Sequence, residues 1–267
     1  MVMIRLDELQ HHGIKGMKWG IRRYQNEDGS LTPEGEKRYE KSLSKVYDGL
    51  DDKDDYVIPA GTTVSRRSNS DKEGVFSNKK VTYTYDEDSA DDGFYKQFGK
   101  KVTEFETVGD LKMAGKTILG KALVNRLMSA DDEALENMEI LYDEHESHYR
   151  RQLGEDYVSS SELFKAPFNP SDKNIKALMG VGGDLVGQMV GMQRNEKTDA
   201  KLRKKGMRDY NTYLNDMGLD VVQQLTDAGY GGMRDYHDYG SSAGVDTPTV
   251  IFNPEDRLRR RRERIDD

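Results

Sequence analysis

The sequence predicts an α+β fold. Two observations carry that expectation. Runs of alternating β-forming residues cluster towards both ends of the chain, and the stretch between about 115 and 228 shows helical periodicity instead. Strands segregated from helices in this way point to α+β, because an α/β sheet needs the two to alternate.

The elements follow in chain order. Thr32-Pro33-Glu34 offers an N-cap hydroxyl, a proline at the first helical position and an acid facing the positive helix end, so a helix is expected to run to Val46 or Tyr47. Asp48 to Asp55 is an acidic linker and marks a boundary. Tyr56 to Arg66 reads as two short strands around a Pro59-Ala60-Gly61 turn. Val81-Thr82-Tyr83-Thr84-Tyr85 alternates and is rich in β-formers, so it is a strand. A short helix is expected over 88–100 and a strand over 102–108. Helices are expected over 115–128, 131–150 and 172–193, with two or three shorter ones between 198 and 228, the last ended by Gly229. Met233 to Tyr236 and Thr249 to Phe252 read as closing strands. From Arg257 the chain reads as a charged tail, Arg257-Leu258-Arg259-Arg260-Arg261-Arg262-Glu263-Arg264. The expected division is an arm and helix over 1–50, an α+β domain over 56–256, and the arginine-rich tail over 257–267.

Composition narrows the function. Hydrophobic and charged residues each make up 34% of the 267 residues, which is polar for a globular chain, so part of it should be arm, exposed helix or partner-binding surface. Cysteine is absent, which removes disulfides, thiolate metal sites and a cysteine nucleophile. Met1 to Leu9 is too short and too charged for a secretory signal. The most apolar stretch, Ile175 to Met192, contains Lys176, Asp184 and Gln188, so no membrane partner is expected. The net charge of −8 argues against bulk nucleic-acid binding but leaves local basic patches in the arm and tail.

The arm holds the densest motif, His11-His12-Gly13-Ile14-Lys15-Gly16-Met17-Lys18-Trp19-Gly20-Ile21-Arg22-Arg23-Tyr24. Its three glycines oppose a regular helix, and its tryptophan, the only one in the chain, sits among the basic residues Lys15, Lys18, Arg22 and Arg23. Such a segment suits an extended docking arm in which Trp19 fills a partner's pocket, with His12, Met17, Arg22 and Arg23 beside it. The same cations and aromatic ring could instead stack on nucleic-acid bases.

The arm, with Gln25-Asn26, Asp28-Gly29-Ser30-Leu31-Thr32-Pro33 and Arg38-Tyr39, closely resembles a module of phage and prophage proteins from Gram-positive bacteria. That module occurs beside portal and head-morphogenesis genes, so the resemblance implies phage context. The rest of the chain resembles the ADP-ribosyltransferase fold at three places. Ile58-Pro59-Ala60-Gly61-Thr62-Thr63-Val64-Ser65-Arg66 is similar to the first strand, which ends in an NAD-binding arginine. Val81-Thr82-Tyr83 is similar to a second core strand. Gly229-Tyr230 and Pro248 to Pro254 are similar to the closing strand pair. The resemblance implies NAD as cofactor, held by Arg66, Ser77 and Tyr83, and catalysis by Arg66 and Asp246. The family's paired catalytic glutamates are missing before the last strand, where Asp246 is the nearest acid, and Phe76-Ser77 is the remnant of its Ser-Thr-Ser element.

Other motifs have ordinary readings. Gly115-Lys116-Thr117 lacks the glycine five residues earlier that a phosphate loop needs; Asp110 stands there, and the three residues read as a helix start. His145 and His148 lie three apart on an expected helix, not at the spacing of four that zinc proteases use. Gly183, Gly187 and Gly191 recur every fourth residue, as at a close internal helix contact.

The leading expectation is a phage accessory protein, virion-associated or acting in head assembly, found in the host cytoplasm during assembly and docking on a structural partner such as a portal or head protein. No established cofactor or metal goes with it, and it leans away from catalysis. The alternatives are an NAD-using ADP-ribosyltransferase-like effector and a nucleic-acid-associated protein using the arm and tail.

Overall fold

The computed structural model describes residues 54–68, 80–86, 98–236 and 248–265, with single positions at 33 and 96. The docking arm, nearly all of the expected helix to Tyr47 and most of the expected helix over 88–100 lie outside these residues. The described part is mixed α+β, as expected. Its eight strands are β1 (Tyr56–Ile58), β2 (Thr63–Ser68), β3 (Val81–Asp86), β4 (Lys101–Thr107), β5 (Leu111–Ala114), β6 (Gly232–Arg234), β7 (Thr249–Phe252) and β8 (Leu258–Ile265). They form one sheet in the order β1-β5-β6-β7-β3-β2-β4-β8, antiparallel except between β5 and β6.

Two short connections force this sheet to curl. β1 and β2 are five strand positions apart, about 24 Å in a flat sheet. The turn joining Ile58 to Thr63 reaches about 18 Å at full extension. β4 and β5 are equally far apart in order, and the link from Thr107 to Leu111 is shorter still. The Pro59-Ala60-Gly61 turn thus joins opposite parts of the sheet instead of making a hairpin. It is tied down by Gly61 N donating to Thr107 O (2.9 Å), Ala60 N to Asp110 Oδ1 (2.8 Å) and Thr107 Oγ1 to Pro59 O (2.7 Å). Gly61 takes φ +81°, where a side chain would be strained.

Curling gives the sheet two cores. Val64, Phe105, Leu111, Met113, Ile251 and Leu258 gather on the concave side, with Tyr56 and Ile58 against them. The outer face of β5, β6, β7 and β3 carries Ala114, Met233, Val250, Phe252 and Val81 into the main core with the helices. That layer comprises α1 (Lys116–Met128), α2 (Asp132–Asp143), α3 (Glu146–Leu153), α4 (Ser160–Leu163), α5 (Asp172–Gly191), α6 (Glu196–Arg203) and α7 (Tyr210–Asp227). A single turn, α8 (Pro254–Arg257), links β7 to β8. Asp131, Ser171, Asn195 and Asp209 cap α2, α5, α6 and α7 by accepting from the backbone N–H three residues on.

Three expectations are corrected. The helix over 131–150 breaks at Glu144 and His145. In one continuous helix Tyr142 and Tyr149 would sit about 10 Å apart along the axis. The break brings their rings to 4.7 Å and buries both. The closest helix contact is made by another glycine: a Cβ on Gly182 would stand 2.6 Å from Gly120 Cα, where α1 crosses α5, while one on Gly183 would meet the Tyr236 ring and then Leu119 of α1, and one on Gly191 the Tyr83 hydroxyl. The expected tail is β8, paired with β4 from Thr107↔Leu258 to Lys101↔Ile265. Glu104 and Glu106 on β4 hold three of its arginines. Arg262 pairs with Glu104 at 2.5 Å, and Arg259 and Arg261 pair with Glu106 at 3.1 and 3.0 Å.

Candidate functional site

β3 is where the sheet changes partners. Its residues 81–84 pair with β7, whereas only Tyr85 and Asp86 pair with β2, opposite Ser65 and Val64. β2 goes on alongside β4 as far as Ser68 but leaves β3 after Ser65. The sheet therefore splits at Arg66. Burial pushes the Arg66 guanidinium down from its ordinary pKa, with Tyr85 acting the other way. The neighbouring Arg67 turns to the other face and donates from Nη1 to Gly99 O at 2.9 Å in a buried bond.

Register assigns the faces. Val64 lies on the concave side, so Arg66, two residues on, does too, together with Asp86 across from Val64. Arg234, Thr249 and Thr84 are cross-strand partners on β6, β7 and β3, and alternation places them on that same side. Tyr56 completes the group from β1, with the Arg234 guanidinium 5.3 Å from its ring centre. Burial raises the pKa of the Tyr56 hydroxyl, Arg234 opposes that rise, and Asp86 adds to it from across the curl. The concave side thus presents two arginines, a protonated phenol and hydroxyl groups beside the Asp86 carboxylate, and the two guanidinium groups are the part of it suited to an anionic, oxygen-rich ligand.

Of the residues expected to bind NAD, Arg66 belongs to this set. Tyr83 does not: alternation puts it on the helix-covered face, with its hydroxyl beneath Gly191. Alternation places Arg66 and Tyr83 on opposite faces of their strands. Ser77 and Asp246 lie outside the described residues, as do His12, Met17, Trp19, Arg22 and Arg23. Tyr56, Asp86 and Arg234 were missed, since nothing in sequence brings residues so far apart together.

A second polar cluster fixes the start of the body. Gly115 gives α1 no side-chain cap. Asp55 Oδ1 accepts from Gly115 N at 2.9 Å and Asp54 Oδ2 from Thr117 N at 3.3 Å. Asp55 Oδ2 also accepts from the Tyr230 hydroxyl at 2.8 Å and lies 3.4 Å from Lys112 Nζ. Lys112 donates to the Tyr230 oxygen at 3.0 Å, which raises the lysine's pKa. Carboxylates of the chain itself therefore occupy the helix end that Gly115-Lys116-Thr117 would have to offer a phosphate. His145 and His148 both pack around the Tyr149 ring, and no group of metal-ligating side chains occurs among the described residues. No described helix is long and apolar enough to cross a membrane.

In comparison with known proteins, the model of a family of unknown function (DUF7211) matches residues 6–26. No curated protein and no solved structure matches the chain.

Proposed function

We propose that the chain is a phage or prophage accessory protein, virion-associated or active in head assembly, whose N-terminal arm docks on a structural partner such as a portal or head protein. One observation carries this reading: the family match spans the arm and stops there. That the match ends before the body supports reading the arm as a separate module. Its single tryptophan among cations has the composition of an interface anchor. The protein then acts in the host cytoplasm during assembly. The test is mass spectrometry of purified particles from the induced source phage. Peptides of this chain in stoichiometric amounts are expected, and Trp19→Ala should remove them while the body stays folded. Abundance in infected cells with absence from particles would overturn the reading.

The split sheet favours a second reading, an ADP-ribosyltransferase-like body that binds NAD. Arg66 and Arg234 share the concave face, and two guanidinium groups suit a pyrophosphate. The family's acid pair is missing before the closing strand at Thr249, so binding without turnover is the expected outcome. Calorimetric titration of NAD into the full chain tests this: binding lost in Arg66→Ala and Arg234→Ala supports it, and no heat of binding removes it.

A further inference from the structure

α6 brings no side chain into either hydrophobic core. Its buried residue is Asp199, which ties the helix to the body by accepting from Asp209 N (2.9 Å), Arg208 Nε (3.0 Å) and Arg203 Nε (2.6 Å). Both ends are fixed as well. Asn195 caps the start and donates from its own N to Thr212 Oγ1 at 2.9 Å. At the other end Gly206, at φ +73°, lets Gly206 N reach Arg203 O and Met207 N reach Leu202 O, both at 3.0 Å. A helix so largely polar is not kept for core burial; its anchors hold its outer face in a fixed place.

Periodicity puts lysine on that face. Lys197, Lys201 and Lys204 lie about 140–160° round the helix axis from Asp199. All three are exposed, as is Lys205 beside them, and among the described residues these four side chains make no ion pair. Between Arg194 and Arg208 seven cations stand against two carboxylates, in a chain of net charge −8. Arg194 and Arg208 are taken up by Asp216, at 2.7 and 2.9 Å, and Glu196 lies 3.7 Å from Arg194, so the surplus rests on the lysines.

We propose that the outer face of α6 binds the phosphate backbone of duplex DNA without reading its sequence. Lysine meets a phosphate as a point charge and releases the counterions held there, a gain that needs no base contact. The three lysines span about 10 Å along the helix, over which a duplex presents about six phosphate charges. Other partners fit this face less well. It has no aromatic side chain to stack the bases of a single strand and no apolar one to enter a bilayer. Lysine is depleted where proteins bury one another, which counts against an acidic protein.

The test uses the full chain and a fluorescein-labelled DNA duplex of mixed sequence, read by fluorescence anisotropy. Binding is expected at low salt and should weaken about fortyfold between about 50 and 200 mM salt, the loss for three neutralised phosphates. Lys197→Gln with Lys201→Gln and Lys204→Gln should lower the log–log salt slope by about 3. The urea midpoint should stay unchanged, because these side chains hold nothing in the fold. The arm's cations are the competing source of binding, so the three substitutions are also made in a chain carrying Lys15→Gln, Lys18→Gln, Arg22→Gln and Arg23→Gln, where the same fall in slope is expected. Unchanged binding on substituting the α6 lysines would place any DNA contact elsewhere and overturn the proposal. So would no binding of the duplex at low salt, or tighter binding of anionic phospholipid vesicles or of a single strand of matched charge.

Discussion

Gly182→Ala is expected to destabilise the body although alanine is the better helix former. In an exposed helix interior the change gains about 1 kcal/mol. Here the new methyl would stand 2.6 Å from Gly120 Cα and 3.1 Å from Gly120 N, so α1 and α5 must separate by about 1 Å to reach ordinary contact. The obstacle is backbone, which no rotamer change relieves. Overpacking of this kind costs about 3 kcal/mol, the upper part of its usual range. The net loss is about 2 kcal/mol, or about 4–8 °C in Tm for a body of this size. Gly180→Ala, two residues away on the same helix, provides the contrast. Its methyl would meet only the end of the Leu153 side chain, which can move aside, so the propensity gain remains and the variant should be neutral or slightly more stable. Urea unfolding followed by far-ultraviolet circular dichroism measures both. Gly182→Ala as stable as the parent, or less affected than Gly180→Ala, would refute the α1–α5 crossing.

Three further outcomes are expected. Asp55→Ala should cost about 1–2 kcal/mol in urea unfolding, because it removes acceptors from Gly115 N and from the Tyr230 hydroxyl together. Tyr149→Phe should cost about 1–3 kcal/mol by the same measurement, since the buried Gln188 Nε2 donates to that hydroxyl at 2.7 Å and Asp184 also bonds it. Asp199 accepts from Asp209 N and from Arg203 and Arg208, which holds its carboxyl well below the usual carboxylate range. A depressed folded pKa adds stability above the unfolded value, near 4, that is lost as pH falls towards the folded one. The urea midpoint should therefore fall below about pH 4, and Asp199→Asn should flatten that acid limb; an unchanged limb would show that Asp199 does not drive it.

Local chemistry made much of the fold legible. Val81 to Tyr85 and Thr249 to Phe252 announce themselves as strands by alternation, and Gly229 ends α7 in the left-handed conformation expected of it, at φ +88°. The four residues of β5 were not read as a strand. They are too few to show a period, and they pair in parallel with β6, more than a hundred residues away. The arginine run shows the same limit from the other side. Its charge is plain in sequence, but whether it is tail or strand depends on Glu104 and Glu106 lying alongside, which composition cannot reveal.

The candidate site divides along that line. Arg66 was legible because its strand has a recognisable pattern, whereas the docking arm lies outside the described residues. Which face Arg66 takes, and that Arg234, Tyr56 and Asp86 share it, depends on cross-strand register and on the curl. The sequence by itself determined the α+β class, the helix end at Gly229 and the cysteine-free chemistry, because propensity, capping and composition act over a few residues. Only the tertiary structure decided the strand order, the split at Arg66 and the conversion of a basic tail into an edge strand, because those depend on pairings between segments far apart in the chain, whose free energies exist only once the chain has closed on itself.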